Sequence, residues 1–252
     1  MLQARIDDTL TVYYENDDYT DPWTSPERIL LIHGVAETSR AWFGSVARLA
    51  RRFRLLRPDL RGLVDHVGLR SVHVVGQRVG GSAAIQFACD YPDSAKRLTV
   101  IGGPATLANS SLNPKGWLAQ VEKEAVESWA RTTMGGRLGQ VSPAMRDWWI
   151  QEMGTAPAQV MVGIFRYVSR MNITHLLPPT PAPTLVIISD RGALAAVETV
   201  RESQTQIPNS QLLVLPSTAY HLAATMPDAC ADAVLLFIQG LKSEQNTERQ
   251  SG

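Results

Sequence analysis

The residue types that could do chemistry gather around two points, Arg78 and His221. Gly76-Gln77-Arg78-Val79-Gly80 sets one side chain two residues from a glycine on either side. The β-branched run Val72, Val74, Val75 precedes it, and Ala83, Ala84, Ile85, Phe87 and Ala88 follow at helical spacing. A strand that turns sharply into a helix with this spacing is the G-x-S-x-G layout, which thrusts its central side chain out at the carboxyl end of the strand. A serine there would attack a carbonyl carbon. The residue here is Arg78, and a guanidinium stays protonated, only donates, and cannot be a nucleophile. It can clamp the carboxylate of a ligand, or it can pair with an acid of its own chain. His221, in a loop after the last apolar strand, is of the type that serves as general base near neutral pH. Asp190, just past the run Thr184–Ile188, can orient such a base or stabilise its own loop. Ser82 is a poor substitute nucleophile, because it lies more than one helical turn, about 6 Å of rise, beyond Arg78. Cys89 lies further along the same helix.

The other chemistries find little support. His33, His66, His73, His175 and His221 show no metal-ligand spacing, and no metal is expected. HGVAET and GQRVGG lack the Lys-Ser/Thr of a phosphate loop and the G-x-G-x-x-G order, so no cofactor is expected. Lys+Arg and Asp+Glu number 24 each in 252 residues, which gives no electrostatic case for nucleic acid or an anionic membrane. No apolar run reaches the roughly 18 residues of a membrane span. The polar start MLQARIDDTL is unlike a secretory signal, and Cys89 and Cys230 read as reduced thiols. The expectation is a cytoplasmic protein with a small-molecule substrate or ligand; homo-oligomerisation is left open.

The surrounding pattern supplies the elements that must position these residues. Gln3–Ile6 and Leu10–Tyr14 predict a hairpin. Ile29–Ile32 is a short apolar strand ending in His33-Gly34, and Glu37–Arg52 predicts a helix with Trp42, Phe43, Val46, Leu49 and Ala50 on its apolar positions. Strands follow at Phe53–Arg57, Ser71–Val75 and Arg97–Ile101. Alternation of strands with helices argues for a wound α/β sheet, mostly parallel, with helices on both faces. Residues 105–181 predict helices only, at Trp117–Thr132, Pro143–Met153 and Pro157–Met171, punctuated by Gly135-Gly136 and Pro143. Four of the six tryptophans lie there, as packing or as an apolar pocket wall. The division expected is a core of 1–104 and 182–252 with a helical cap of 105–181. Thr184–Ile188 and Gln211–Leu215 complete the strands, Ala193–Gln206 and Cys230–Leu241 the helices, and the tail from Lys242 is predicted to be disordered. Only Leu60–Leu69 joins the strand at Phe53–Arg57 to Ser71. That is short for a parallel crossover, which takes roughly a dozen residues and usually a helix.

On these segments the chain resembles the α/β-hydrolase family, and within it the bacterial small esterases and 3-oxoadipate enol-lactonases. LLIHGVAETSRAW resembles the family's strand-HG-helix segment and RLLRPDLRG its next strand. VVGQRVGG stands where VVGHSMGG is usual, PTLVIISDRGAL where PTLVIxGDRDxL is, and AYHLAATMPD where GHxxxxExP is. The resemblance puts the nucleophile on Arg78, the acid on Gly192, the general base on His221, and the oxyanion-hole N–H groups on Val35 (after Gly34) and Val79. It implies an activity on a small apolar carboxylic ester or lactone. In that reading His221 is the base, and Arg78 with the Val35 and Val79 donors holds an anionic group. A catalytically silent binding protein and a cofactor-free non-hydrolytic enzyme, lyase- or oxygenase-like, are the alternatives. Departures at the nucleophile, at the acid and in the short 60–70 connector set this chain apart from the pattern.

Overall fold

The structure, a computed structural model, describes residues 2–5, 8, 11–59, 71–103, 105–106 and 113–241. The expected strands form one eight-stranded sheet, and burial explains their composition. β3 (Arg28–Ile32), β4 (Arg54–Pro58), β5 (Val72–Gln77), β6 (Ala95–Ile101) and β7 (Thr184–Ser189) are apolar along most of their length because both faces are covered. β1 (Leu2–Arg5) and β2 (Thr11–Asp17) lie at one edge and alternate with solvent. β8 (Ser210–Leu215) closes the other edge. The order is β1-β2-β4-β3-β5-β6-β7-β8. The β1–β2 and β2–β4 pairs are antiparallel, and all the others are parallel.

Helix α1 (Phe43–Leu49) and the closing helix α9 (Pro227–Ile238) cover one face, where Trp42, Leu49, Ala231, Val234 and Phe237 meet Ile29, Leu31, Leu55 and Ile187. Helix α2 (Val79–Asp90) covers the other, with Ala84, Ile85 and Ala88 on Leu30, Val74 and Leu98. Between β6 and β7 come four helices: α3 (Pro114–Lys123), α4 (Val126–Leu138), α5 (Pro143–Gly154) and α6 (Ala158–Val168). They build their own apolar cluster on Trp129, Met134, Trp149, Met161 and Phe165. This cluster continues into Val35, Ala41 and Ala224 at the carboxyl ends of the strands. Helix α7 (Val197–Gln204) and the short α8 (Leu222–Thr225) flank β8. No described helix is long and apolar enough to cross a membrane.

Several expectations change in detail. Trp117–Thr132 is not one helix, because Glu124 is extended (φ −127°, ψ 173°) and its carboxylate accepts from Ser128 Oγ, so the chain restarts at Val126. Gly135 and Gly136 do not punctuate; they lie inside α4, where a Cβ on Gly136 would come 3.7 Å from the Tyr220 ring. Small residues there let the helix approach the loop that carries His221. The helix expected from Glu37 begins only with a 3-10 turn at Ser39–Trp42, which leaves Glu37 in a loop and Phe43 half exposed. The helix expected from Ala193 begins at Val197. The connector 60–70 and the tail 242–252 lie outside the described residues. In the sheet, β3 lies between β4 and β5.

Candidate active site

All the chemistry-bearing residues sit where the chain leaves the carboxyl ends of the strands. The strand order reverses there, since β3 is flanked by β4 on one side and β5 on the other. Such a reversal opens a crevice in an α/β sheet. Arg78 stands on the turn between β5 and α2 with φ 54° and ψ −122°, a conformation a side-chain-bearing residue rarely adopts. Its N–H donates to Ile101 O, and its carbonyl accepts from Gly81 N, which fixes the turn from both ends. The flanking glycines are required sterically. A Cβ on Gly76 would lie 2.2 Å from Gly80 O, and one on Gly80 would lie 2.4 Å from His33 O. Both obstacles are backbone and cannot step aside. Gly80→Ala is therefore expected to cost about 1–3 kcal/mol, read as a lower urea midpoint; an unchanged midpoint would contradict this reading of the turn.

The turn delivers Arg78 to a carboxylate that the sequence analysis did not single out. Glu37, on the loop after β3, is fully buried. Its Oε1 accepts from Arg78 Nη1 at 2.5 Å, and its Oε2 accepts from Gly34 N and Gln77 Nε2, each at 2.8 Å. His221 Nε2 lies 3.2 Å from Glu37 Oε1, close enough for an ion pair but not aligned as a hydrogen bond. Glu37 thus fills the space between the residue at the nucleophile position and the expected base. Burial pushes its carboxyl up; His221 and Arg78 outweigh this and hold it far below the usual carboxylate range. A carboxylate so occupied is a counter-ion, neither base nor nucleophile.

His221 is fully buried beneath Trp149, whose ring centre is 4.5 Å away, and its backbone N–H donates to the carbonyl of Arg137. Burial lowers its pKa against the pull of Glu37, and the guanidiniums of Arg78 and Arg137 add to the lowering. The ring is neutral at pH 7, and neither nitrogen has a formed hydrogen bond. Asp190 does not orient it. That carboxylate is at the surface, accepting from Ser217 N at 2.8 Å and facing Arg191, so its pKa is lowered by the backbone N–H of Ser217 first. Gly192, where the resemblance puts the acid, is closed as well, because a Cβ there would lie 2.0 Å from Ser189 Oγ. Ser189 Oγ thus occupies the space that a side chain at position 192 would need.

Val35 and Val79 lie on either side of the Arg78 turn, and among the described residues their N–H groups donate to nothing. Both line a chamber under the inserted helices, together with Arg78, Trp117, Trp129, Arg137, Phe165 and Tyr220. Its free volume is about 30 Å3, room for one or two waters. A larger groove of about 790 Å3 lies elsewhere, between β2, the 3-10 turn and α5. Its charges are already paired, Arg57 with Asp17 and Arg40 with Glu152. The described residues hold no group of three or more His, Cys, Asp or Glu able to bind a metal ion, and Cys89 and Cys230 are free thiols.

No family model matches the chain. Similarity to known structures is extensive. The crystal structure of an enol-lactonase from Burkholderia xenovorans LB400 matches with a TM-score of 0.86 at 16% identity, over 94% of this chain and 99% of that one. This is the α/β-hydrolase fold. A non-heme haloperoxidase of Rhodococcus erythropolis is 23% identical over 86% of this chain and 94% of its own length. An uncharacterised protein of Mycobacterium tuberculosis is 33% identical over 95 residues. That match spans 28% of the relative's length and 29% of this chain. Arg78 stands on the sharp turn between β5 and α2, and His221 follows β8 beside Glu37.

Proposed function

We propose that this protein is a binding version of the hydrolase fold, which receives a small, mainly apolar ester- or lactone-like molecule beneath its inserted helices and forms no acyl-enzyme. The observation that carries this is Glu37, wedged between Arg78 and His221 with every oxygen engaged. A nucleophile and a base must share a proton across that gap; here a structural ion pair occupies it. The apolar walls of Trp117, Trp129 and Phe165 and the two free N–H groups of Val35 and Val79 support binding of a carbonyl compound. A ligand larger than a couple of waters requires the inserted helices to part, since the closed chamber is nearly full.

A second reading keeps turnover. His221 is neutral with both ring nitrogens unbonded, the form a base needs to activate water once a ligand has opened the chamber. The two are separated by one experiment: calorimetric titration with methyl benzoate and δ-valerolactone, alongside hydrolysis of the same compounds by wild type and His221→Ala. Binding without hydrolysis, and no labelling by a fluorophosphonate, are the results expected. Hydrolysis lost in His221→Ala would put the second reading first. Fluorophosphonate labelling would overturn both, because it requires an activated serine.

A further inference from the structure

Arg137 is a fully buried guanidinium that forms no ion pair with a carboxylate among the described residues; Glu37 acts on it only at longer range. It projects from the last turn of α4 into the chamber next to Arg78. Its Nε donates to Thr133 Oγ1 at 3.1 Å, and its Nη1 has no hydrogen-bond partner among the described residues. Its flat face lies 4.6 Å from the centre of the Trp129 ring and 5.9 Å from that of Tyr220. The neighbouring arginines are balanced, Arg78 by Glu37 and Arg40 by Glu152. With His221 neutral, the buried cluster of Glu37, Arg78 and Arg137 carries one positive charge in excess. An isolated buried charge is costly, and proteins ordinarily pair it. Aromatic faces compensate a cation in part, but they leave the Nη1 donor unused.

We propose that Arg137 is the receptor for the anionic head of the ligand, and that the ligand is therefore a small monocarboxylate with an apolar body. This rests on the binding function proposed above and narrows it. The chamber supplies what such a molecule needs: an unpaired guanidinium at one wall, aromatic rings around it, and the unused N–H groups of Val35 and Val79 at the floor. The assignment also moves the anion clamp from Arg78 to Arg137. Arg78 is already neutralised by Glu37, whereas Arg137 is not. Burial lowers the Arg137 pKa to about 10, which still leaves it charged at pH 7. Its carbonyl accepts from the N–H of His221, so the same residue ties the receptor to the loop at the centre of the site.

The test is titration calorimetry of the full chain with benzoate and with its neutral counterpart methyl benzoate, in wild type, Arg137→Lys and Arg137→Met. Wild type is expected to prefer benzoate. Arg137→Met is expected to weaken benzoate roughly 10- to 100-fold, as loss of a charge-assisted hydrogen bond does, while methyl benzoate is held as before. Arg137→Lys keeps the charge without the fork and is expected to retain part of the preference. The unliganded stability of Arg137→Met, read by urea, should equal or exceed that of wild type, because the change removes an unpaired buried charge. Equal binding of the two ligands by wild type, or benzoate binding indifferent to Arg137→Met, overturns this inference and leaves the binding function standing. Binding of neither ligand overturns both. Failure of Arg137→Met to fold would show that Arg137 is a structural pin, and Arg137→Lys would then decide whether benzoate is recognised through the charge.

Discussion

Replacement of Glu37 by alanine should destabilise the protein by about 3–5 kcal/mol, the cost of leaving one member of a buried ion pair behind. Arg78 cannot escape to solvent. It is 7% exposed, its backbone is held at φ 54° by the elbow, and α2 and the inserted helices close over it. Gly34 N and Gln77 Nε2 would lose their acceptor at the same time, and each buried donor left unpaired adds its own cost. The double replacement Glu37→Leu with Arg78→Met should recover most of the loss, since an apolar pair of similar volume is often as stable as a buried ion pair. Urea unfolding of the two single variants and the double variant measures the coupling. Additive losses would mean that Arg78 does not depend on Glu37 and remains free to clamp a ligand.

The same cluster sets the acid limb of stability. His221 has a folded pKa below its ordinary 6.5, because burial disfavours the charged ring, so the unfolded chain binds its proton more readily. Stability is therefore lost as pH falls below 6.5. Glu37 has a folded pKa below its ordinary 4.5, and its contribution is complete above that value and lost as pH falls below it. Both groups give a stability that rises with pH across the acid range. Urea midpoints taken from pH 7 down to pH 3.5 should fall in two stages, and the Glu37→Leu with Arg78→Met variant should lack the second.

What could be read from the sequence was what local sterics impose. The elbow is visible because its glycines answer to backbone obstacles within a few residues. The strands are visible because burial on both faces demands β-branched runs. Glu37 was not visible. In V-A-E-T-S-R an acidic residue reads as the first turn of a helix, and its partners Arg78 and His221 are brought to it only by the sheet. One signal was available: an arginine at a buried elbow needs a counter-charge, and Glu37 is the acid closest in sequence to the HG turn at the adjacent strand end. Arg137 was hidden by the misplaced stop at Gly135-Gly136. That stop ended the helix before its last turn and left the arginine in an apparent loop. Asp190 was misjudged because position along the chain says nothing of direction; its carboxylate turns to Ser217 N.

Arg78→Ser alone should restore no acyl-enzyme, whereas Arg78→Ser combined with Glu37→Gln, Ser189→Gly and Gly192→Asp should. The single change supplies a hydroxyl at the elbow but leaves an uncompensated carboxylate 3.2 Å from His221 Nε2. That carboxylate would hold the ring's proton on the nitrogen that must receive the serine's. Glu37→Gln removes the charge and keeps an oxygen for Gly34 N and Gln77 Nε2. Gly192→Asp restores the acid at the family position, but its Cβ would fall 2.0 Å from Ser189 Oγ, so Ser189→Gly must accompany it. With Ser189 kept, Gly192→Asp should instead cost about 1–3 kcal/mol of stability by overpacking. The elbow geometry and the free Val35 and Val79 donors need no repair. The fourfold variant should label with a fluorophosphonate and hydrolyse p-nitrophenyl acetate at least about 10³-fold faster than Arg78→Ser, the order by which a nucleophile acting with its base exceeds binding and oxyanion stabilisation alone. Labelling of Arg78→Ser alone would mean that Glu37 does not block the base. A folded fourfold variant that stays unlabelled would place the obstacle in the closed chamber rather than in the catalytic groups.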